Sequence, residues 1–110
     1  MSELDAGGSR AAPAQVFAAL GDGTRLTLLE KLSDGRRLSI TDLSLGAGLT
    51  RQAVTKHLKV MENAGLLSSA RTGRESRYAL RRDSIQQARV YLEHVSSQWD
   101  AALAKLQGYL

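Results

Sequence analysis

The sequence predicts a mainly α-helical domain with one small β-hairpin, its elements in the order α-α-α-α-β-β-α. Three observations predict it. Between Ser39 and Gly65 a short helix, a glycine-bearing corner and a basic helix follow one another. Directly after them, Leu66 to Leu80 reads as two short strands joined at a Gly-tipped basic loop. Beyond Asp83 an apolar heptad runs unbroken from Ile85 to Tyr109. Two short helices joined by a tight turn and followed by a hairpin are the layout of a winged helix-turn-helix, whose second helix lies in the DNA major groove.

Taken in order, residues 1–12 read as a flexible N-terminal arm, with Gly7, Gly8 and Ser9 among small and charged neighbours, and 13–110 as the domain. Pro13 suits the first turn of a helix over about 13–20, where its missing N–H costs little. Asp22 is the N-cap of a second helix that runs to about Ser33, and Asp34-Gly35 ends it. The helix-turn-helix occupies 39–65: Gly48 and Leu49 form the corner, and Thr50 accepts a hydrogen bond from the free N–H groups of the next helix. Gly65 closes that helix in the left-handed conformation that a side chain would hinder. The wing is 66–80, with strands Leu66–Arg71 and Ser76–Leu80 and the loop Thr72-Gly-Arg-Glu75. Tyr78 and Leu80 alternate with Arg77 and Ala79, so one face meets the core and one meets solvent. Gly73 supplies the positive φ of the hairpin turn. The last helix is 84–109.

The basic helix divides into two faces. At about 100° per residue Val54, Leu58 and Met61 make a core stripe. Gln52, Lys56, Lys59 and Asn63 fall opposite, with Arg51 and Thr55 beside them. Such side chains read base edges or hold phosphates: Gln pairs with adenine, Arg or Lys with guanine, and a Thr methyl touches the thymine methyl. An ordinary solvated helix presents a similar polar face, so the charge distribution has to decide. Residues 51–82 hold eight basic and two acidic side chains, a net +6, while 1–50 and 83–110 are each −1. The whole excess of the +4 chain therefore sits on the second helix and the segment behind it, and a localised basic patch gathers a polyanion by displacing its counterions. Arg71, Arg74 and Arg77 ring the wing, where Arg74 could reach a minor groove or a flanking phosphate. Their other use is to guard an edge strand against aggregation. Glu75 pairs with Arg74 or Arg77 and is structural.

The heptad is the second strong signal. Ile85, Leu92, Trp99 and Leu106 recur every seven residues, and Ala88, Val95, Ala102 and Tyr109 fill the alternate positions. A small winged domain has little core left to cover so long a stripe. It is expected to be a homodimer interface, shared with Val16, Phe17 and Leu20 of the first helix; the alternative is packing within one chain. Trp99 and Tyr109 could also border a small-molecule pocket, although packing is the usual role of an aromatic at such a position.

Composition sets the remaining bounds. At 110 residues the chain is one domain with a modest core that dimerisation would supplement. It has no signal-peptide pattern, no apolar run long enough for a membrane and no internal repeat, so a cytoplasmic protein of the bacterial cytosol is expected. No cysteine is present, which excludes disulfides and thiol redox sensing. No nucleophile–base arrangement, paired carboxylates, phosphate loop or metal cluster is visible, so no enzyme activity and no cofactor are expected.

Three stretches together carry a resemblance: Leu20-Gly-Asp-Gly-Thr-Arg-Leu-Thr-Leu-Leu-Glu-Lys-Leu32, His57-Leu-Lys-Val-Met-Glu-Asn-Ala-Gly-Leu-Leu67 and Arg71-Thr-Gly-Arg-Glu-Ser-Arg-Tyr-Ala-Leu80. They resemble the ArsR/SmtB family of bacterial repressors over about residues 14–80, with 84–109 as that family's terminal helix. The resemblance implies a homodimer on an inverted-repeat operator, with DNA contacts at Arg51, Gln52, Thr55 and Lys56. His57 fits the family's frequent His-Leu-Lys stretch, as a packing or phosphate-contact residue; one His without partners makes no metal site. Gly23 stands where members commonly have proline. Metal sensors of the family often carry a Cys-x-Cys pair before the reading helix, and here Ser39 and Thr41 hold the matching positions, without soft thiolate. The family's other metal site, on the terminal helix, needs several His and carboxylate ligands. Here His94 stands alone, with Asp83 11 residues upstream and Ser97 and Gln98 where a second pair would be. No metal is expected.

The function expected is a sequence-specific, metal-independent regulator of double-stranded DNA. A winged module that binds protein instead would carry acidic or apolar residues at positions such as Gln52, Lys56 and Arg74. A third reading keeps the DNA reader and adds an unknown small-molecule effector between the first and last helices.

Overall fold

The computed structural model describes residues 13–108. The expected arm at 1–12 and the last heptad residue, Tyr109, lie outside them. The chain folds as α1 (Pro13–Leu20), α2 (Gly23–Leu32), β1 (Leu38–Ser39), α3 (Ile40–Ser44), α4 (Arg51–Asn63), β2 (Leu67–Thr72), β3 (Glu75–Leu80) and α5 (Arg82–Gln107).

Local chemistry sets the helix ends. The Asp22 carboxylate accepts the Arg25 N–H at 2.9 Å, and the Thr50 hydroxyl accepts the Ala53 N–H at 3.0 Å. Ser39 and Asp42 form a capping box on α3, each side chain accepting the other's backbone N–H at 3.1 Å. At the far end of α4, Gly65 has φ +83°. Its N–H reaches the Glu62 carbonyl at 3.0 Å while that of Leu66 reaches Met61 at 2.9 Å, the paired bonds of a Schellman ending. Lys31 of α2 donates to the carbonyls of Leu43 and Leu45, at 3.3 and 3.0 Å, and so caps α3 from outside it.

The sheet has three antiparallel strands in the order β1-β3-β2, one more than the sequence predicts. Leu38 and Ser39 pair with Tyr78 and Arg77 across the outer edge of the hairpin. Two residues carry no alternation to read, so β1 exists only because tertiary packing brings the start of α3 beside β3. β3 is thus a central strand and needs no guarding by arginines. Thr72 pairs with Glu75, which shortens the expected four-residue loop to Gly73 and Arg74.

One core joins all these elements: Val16 and Ala19 of α1, Leu28 and Leu32 of α2, Leu43 of α3, Val54, Leu58 and Met61 of α4, Leu66 and Leu67 at the wing base, and Ala88 of α5. α5 is fastened there by the Ser84 hydroxyl, which donates to the Gly65 carbonyl, and by the Arg81 N–H on the Leu66 carbonyl at 2.8 Å.

The heptad is therefore divided. Val16 and Ala88, expected at a dimer interface, are 2% and 8% exposed within one chain. α1 already lies on the first turns of α5 and covers them. Ile85, Phe17 and Leu20 are half-buried against the same core, and Phe17 meets Tyr91 with ring centroids 5.8 Å apart. From Leu92 onward the apolar face is largely open, with Leu92, Trp99 and Leu106 at 54, 65 and 61%. Val95 is half-buried and Ala102 exposed. This free half of α5 draws the molecule out to 63 × 36 × 21 Å.

Candidate nucleic-acid interface

α4 turns Val54, Leu58 and Met61 into the core, all fully buried, and leaves Arg51, Gln52, Thr55, Lys56, Lys59 and Asn63 exposed. The helix is held at both ends by the Thr50 cap and the Gly65 ending, and along its length by that stripe. Its outward side chains consequently stand on a fixed support, which is what recognition of base edges requires. The Thr55 hydroxyl donates to the Arg51 carbonyl at 2.7 Å. Its proton is spent inside the helix, so its methyl and oxygen lone pairs remain for a base.

His57 does not join this outward set. Three residues beyond Val54, it flanks the core stripe and is turned toward α2. Its Nδ1 lies 3.4 Å from the Arg25 guanidinium and 4.0 Å from the Asp22 carboxylate. Arg25 also donates from Nε to the Ala19 carbonyl at 2.6 Å. One guanidinium thus ties the end of α1 to α4, a junction that nothing in residue spacing signals. The Asp22 carboxyl is held below its usual range, first by the Arg25 N–H that it accepts and then by the charge of Arg25. The Asp42 carboxyl is lowered likewise, chiefly by the Ser39 N–H.

On the wing, Gly73 has φ +64°, and Arg71 and Arg74 are exposed beside the turn. Arg77 is differently placed. It lies on the central strand, opposite Ser39 and Ala70, and its guanidinium pairs with Glu75 at 3.3 Å. Its Nε is buried without a hydrogen-bond partner among the described residues. Arg77 therefore serves the wing's own structure before any ligand. Arg81 pairs with Asp83 at 2.8 Å, which removes another of the eight cations from the free positive surface.

The two positions that match the metal sensors' cysteines have diverged in use. Ser39 is 3% exposed and caps α3, whereas Thr41 is exposed. Among the described residues no three His, Cys, Asp or Glu side chains stand close enough to hold a metal ion. No helix among them is long and apolar enough to cross a membrane.

Comparison with known proteins gives this architecture its family. The family model for bacterial regulatory proteins of the arsR type matches residues 22–69, from the cap of α2 into β2. The HTH-type transcriptional regulator YuzN of Bacillus subtilis is 42% identical over 65 residues, covering 54% of this chain and 71% of that protein. The HTH-type transcriptional regulator Rv2034 of Mycobacterium tuberculosis is 32% identical over 91 residues, 83% of this chain and 81% of the relative. Among solved structures, an ArsR-like transcriptional regulator from Rhodococcus sp. RHA1 superposes with a TM-score of 0.78 at 34% identity, covering 89% of this chain and 92% of its own. The capped reading helix, the wing behind it and these relatives agree: the chain belongs to the ArsR family of bacterial regulatory proteins, DNA-binding transcriptional regulators on a winged helix-turn-helix, and not to any class of enzyme.

Proposed function

We propose that this protein is a homodimeric, metal-independent repressor that reads an inverted-repeat operator in the bacterial cytoplasm. The observation that carries the reading is the division of α4 into a fully buried stripe and an outward row. Arg51, Gln52, Thr55, Lys56 and Lys59 are exposed together on a helix anchored by its buried stripe. Gln52 and Thr55 have the chemistry to read bases, and Lys56, Lys59, Arg71 and Arg74 that to hold phosphates.

The dimer follows from the distal half of α5. A stripe holding Leu92, Trp99 and Leu106 beyond the reach of its own chain suits a two-fold axis, which puts the same patch on both sides. Two reading helices related by that axis would enter successive major grooves about 34 Å apart, hence the inverted repeat. Metal independence rests on Ser39, a buried cap where a thiolate would be needed, and on His94, exposed and without companion ligands among the described residues. Repression, on the family's usual pattern, follows from covering promoter DNA.

Selection of bound sequences from random duplex DNA tests the reading and yields the operator. Enrichment of a palindromic site supports it, and recovery of no site overturns it. Repeating the binding titration with zinc, cadmium, arsenite and a chelator tests the metal claim, which a tenfold change with any of them would overturn.

A second reading has one observation in its favour. A shallow, mainly apolar groove of about 430 Å³ lies between α1 and α5, lined by Phe17, Leu20, Ile85, Ala88 and Leu92 together with Arg89 and Glu93. It is large enough for a small effector, which would act only by binding the DNA-free state more tightly than the bound one.

A further inference from the structure

The tip of the wing and the start of the reading helix meet in a cleft of about 190 Å³, lined by Arg51, Arg74, Glu75, Ser76 and the Ser39–Thr41 stretch. Two arginines from elements far apart in sequence line this one space. Among the described residues neither Arg51 nor Arg74 has an ion pair or a side-chain hydrogen bond, and both are exposed. The carboxylate beside them is already engaged, since Glu75 is bound by Arg77 at 3.3 Å. Ser39 is buried and its hydroxyl oxygen accepts in the α3 cap, while Thr41 and Ser76 bring hydroxyls to the same lining.

We propose that this cleft takes a single phosphate of the DNA backbone, gripped jointly by Arg51 and Arg74. The inference rests on the DNA-binding reading and adds to it a stated geometry. Two like charges on one cleft repel until an anion stands between them, and a phosphate accepts several guanidinium N–H bonds at once. A shared phosphate would lock the wing to the reading helix when DNA binds. Neither arginine then acts as an independent anchor. Each positions the other's ligand, so removing either releases most of what the pair supplies.

A double-mutant cycle on the selected operator distinguishes one shared phosphate from two separate ones. Arg51→Ala and Arg74→Ala should each weaken binding by roughly 10-fold, and the double variant by little more than either. The slope of log affinity against log salt should fall by about 0.9 in each single variant and by about the same in the double. A duplex with one neutral methylphosphonate at the gripped position should reproduce the loss with the native protein and leave the variants unaffected. Both side chains are exposed, so the variants should melt as the native protein does. Multiplying losses, of roughly 100-fold in the double variant with the slope falling by about two units, would overturn the shared phosphate and leave the DNA reading intact. Failure of the native protein to bind any duplex would overturn the DNA reading itself, and the clamp with it.

Discussion

The two halves of α5 carry one heptad and meet opposite fates. In the first half Ser84 and Ala88 are 1% and 8% exposed, held by α1 and by the Gly65 carbonyl. In the second, Leu92, Trp99 and Leu106 continue the same spacing with more than half their surface in water. The difference lies in reach. The eight residues of α1 cover about 12 Å of a 26-residue helix about 39 Å long, and among the described residues the apolar side chains beyond them stay largely exposed. Periodicity states that a face will be covered; it does not state which chain covers it.

The contrast is most sharply broken at Ala88. Ala88→Asp would bury an unpaired carboxylate inside one chain, at a cost on the order of 3 kcal/mol or more. The loss should appear in chemical denaturation at every protein concentration, because no partner is involved. A loss that depends on protein concentration would show that the first half is an interface as well.

Leu92→Glu should act through the second copy. The body keeps its core, sedimentation shows monomer, and affinity for a full operator falls by on the order of 100-fold as two linked half-sites become one. Binding to an isolated half-site should be unchanged. A variant that remains dimeric would refute the distal stripe as the interface.

α4 repeats the comparison across its width. Gln52→Ala on its outward face should leave the melting temperature unaltered and cost about 1–3 kcal/mol of discrimination at one base pair. Equal losses on operator and random DNA would remove Gln52 from the reading set. The smallest effect belongs to Ser84→Ala, which deletes the hydroxyl that fastens α5 to the Gly65 carbonyl. About 1 kcal/mol should be lost. The loss should be independent of concentration, and equal in the native and Leu92→Glu backgrounds. A concentration-dependent loss would tie Ser84 to assembly.

What could be read in advance was whatever rests on neighbours in sequence. Asp22, Thr50 and Gly65 act on N–H and carbonyl groups within a few residues, and the structure has each in that role. The Val54–Leu58–Met61 stripe and the order of the elements followed from spacing, and the family followed from three short stretches. The parts that escaped notice join distant residues. Arg25 reaches His57 across 32 positions, a partner that the expected packing or phosphate-contact role did not name. Lys31 caps α3 from a separate helix, and β1 depends on its partner strand. The sequence left Glu75 to pair with Arg74 or Arg77, and the structure gives it Arg77, on the central strand.

By itself, the sequence determined the helices, the caps at Asp22, Thr50 and Gly65, the hairpin, the concentration of charge behind Arg51 and the lack of thiols, because propensity, capping and composition act locally or along the whole chain. Only the tertiary structure decided which half of the heptad serves the chain's own core, which cations remain unpaired, and that Arg51 and Arg74 share one cleft. Such facts depend on distances between elements that no spacing encodes, and on which of two chemically similar side chains finds a partner first. An arginine at position 77 and one at position 74 look alike in sequence, and the fold gives only the first a carboxylate.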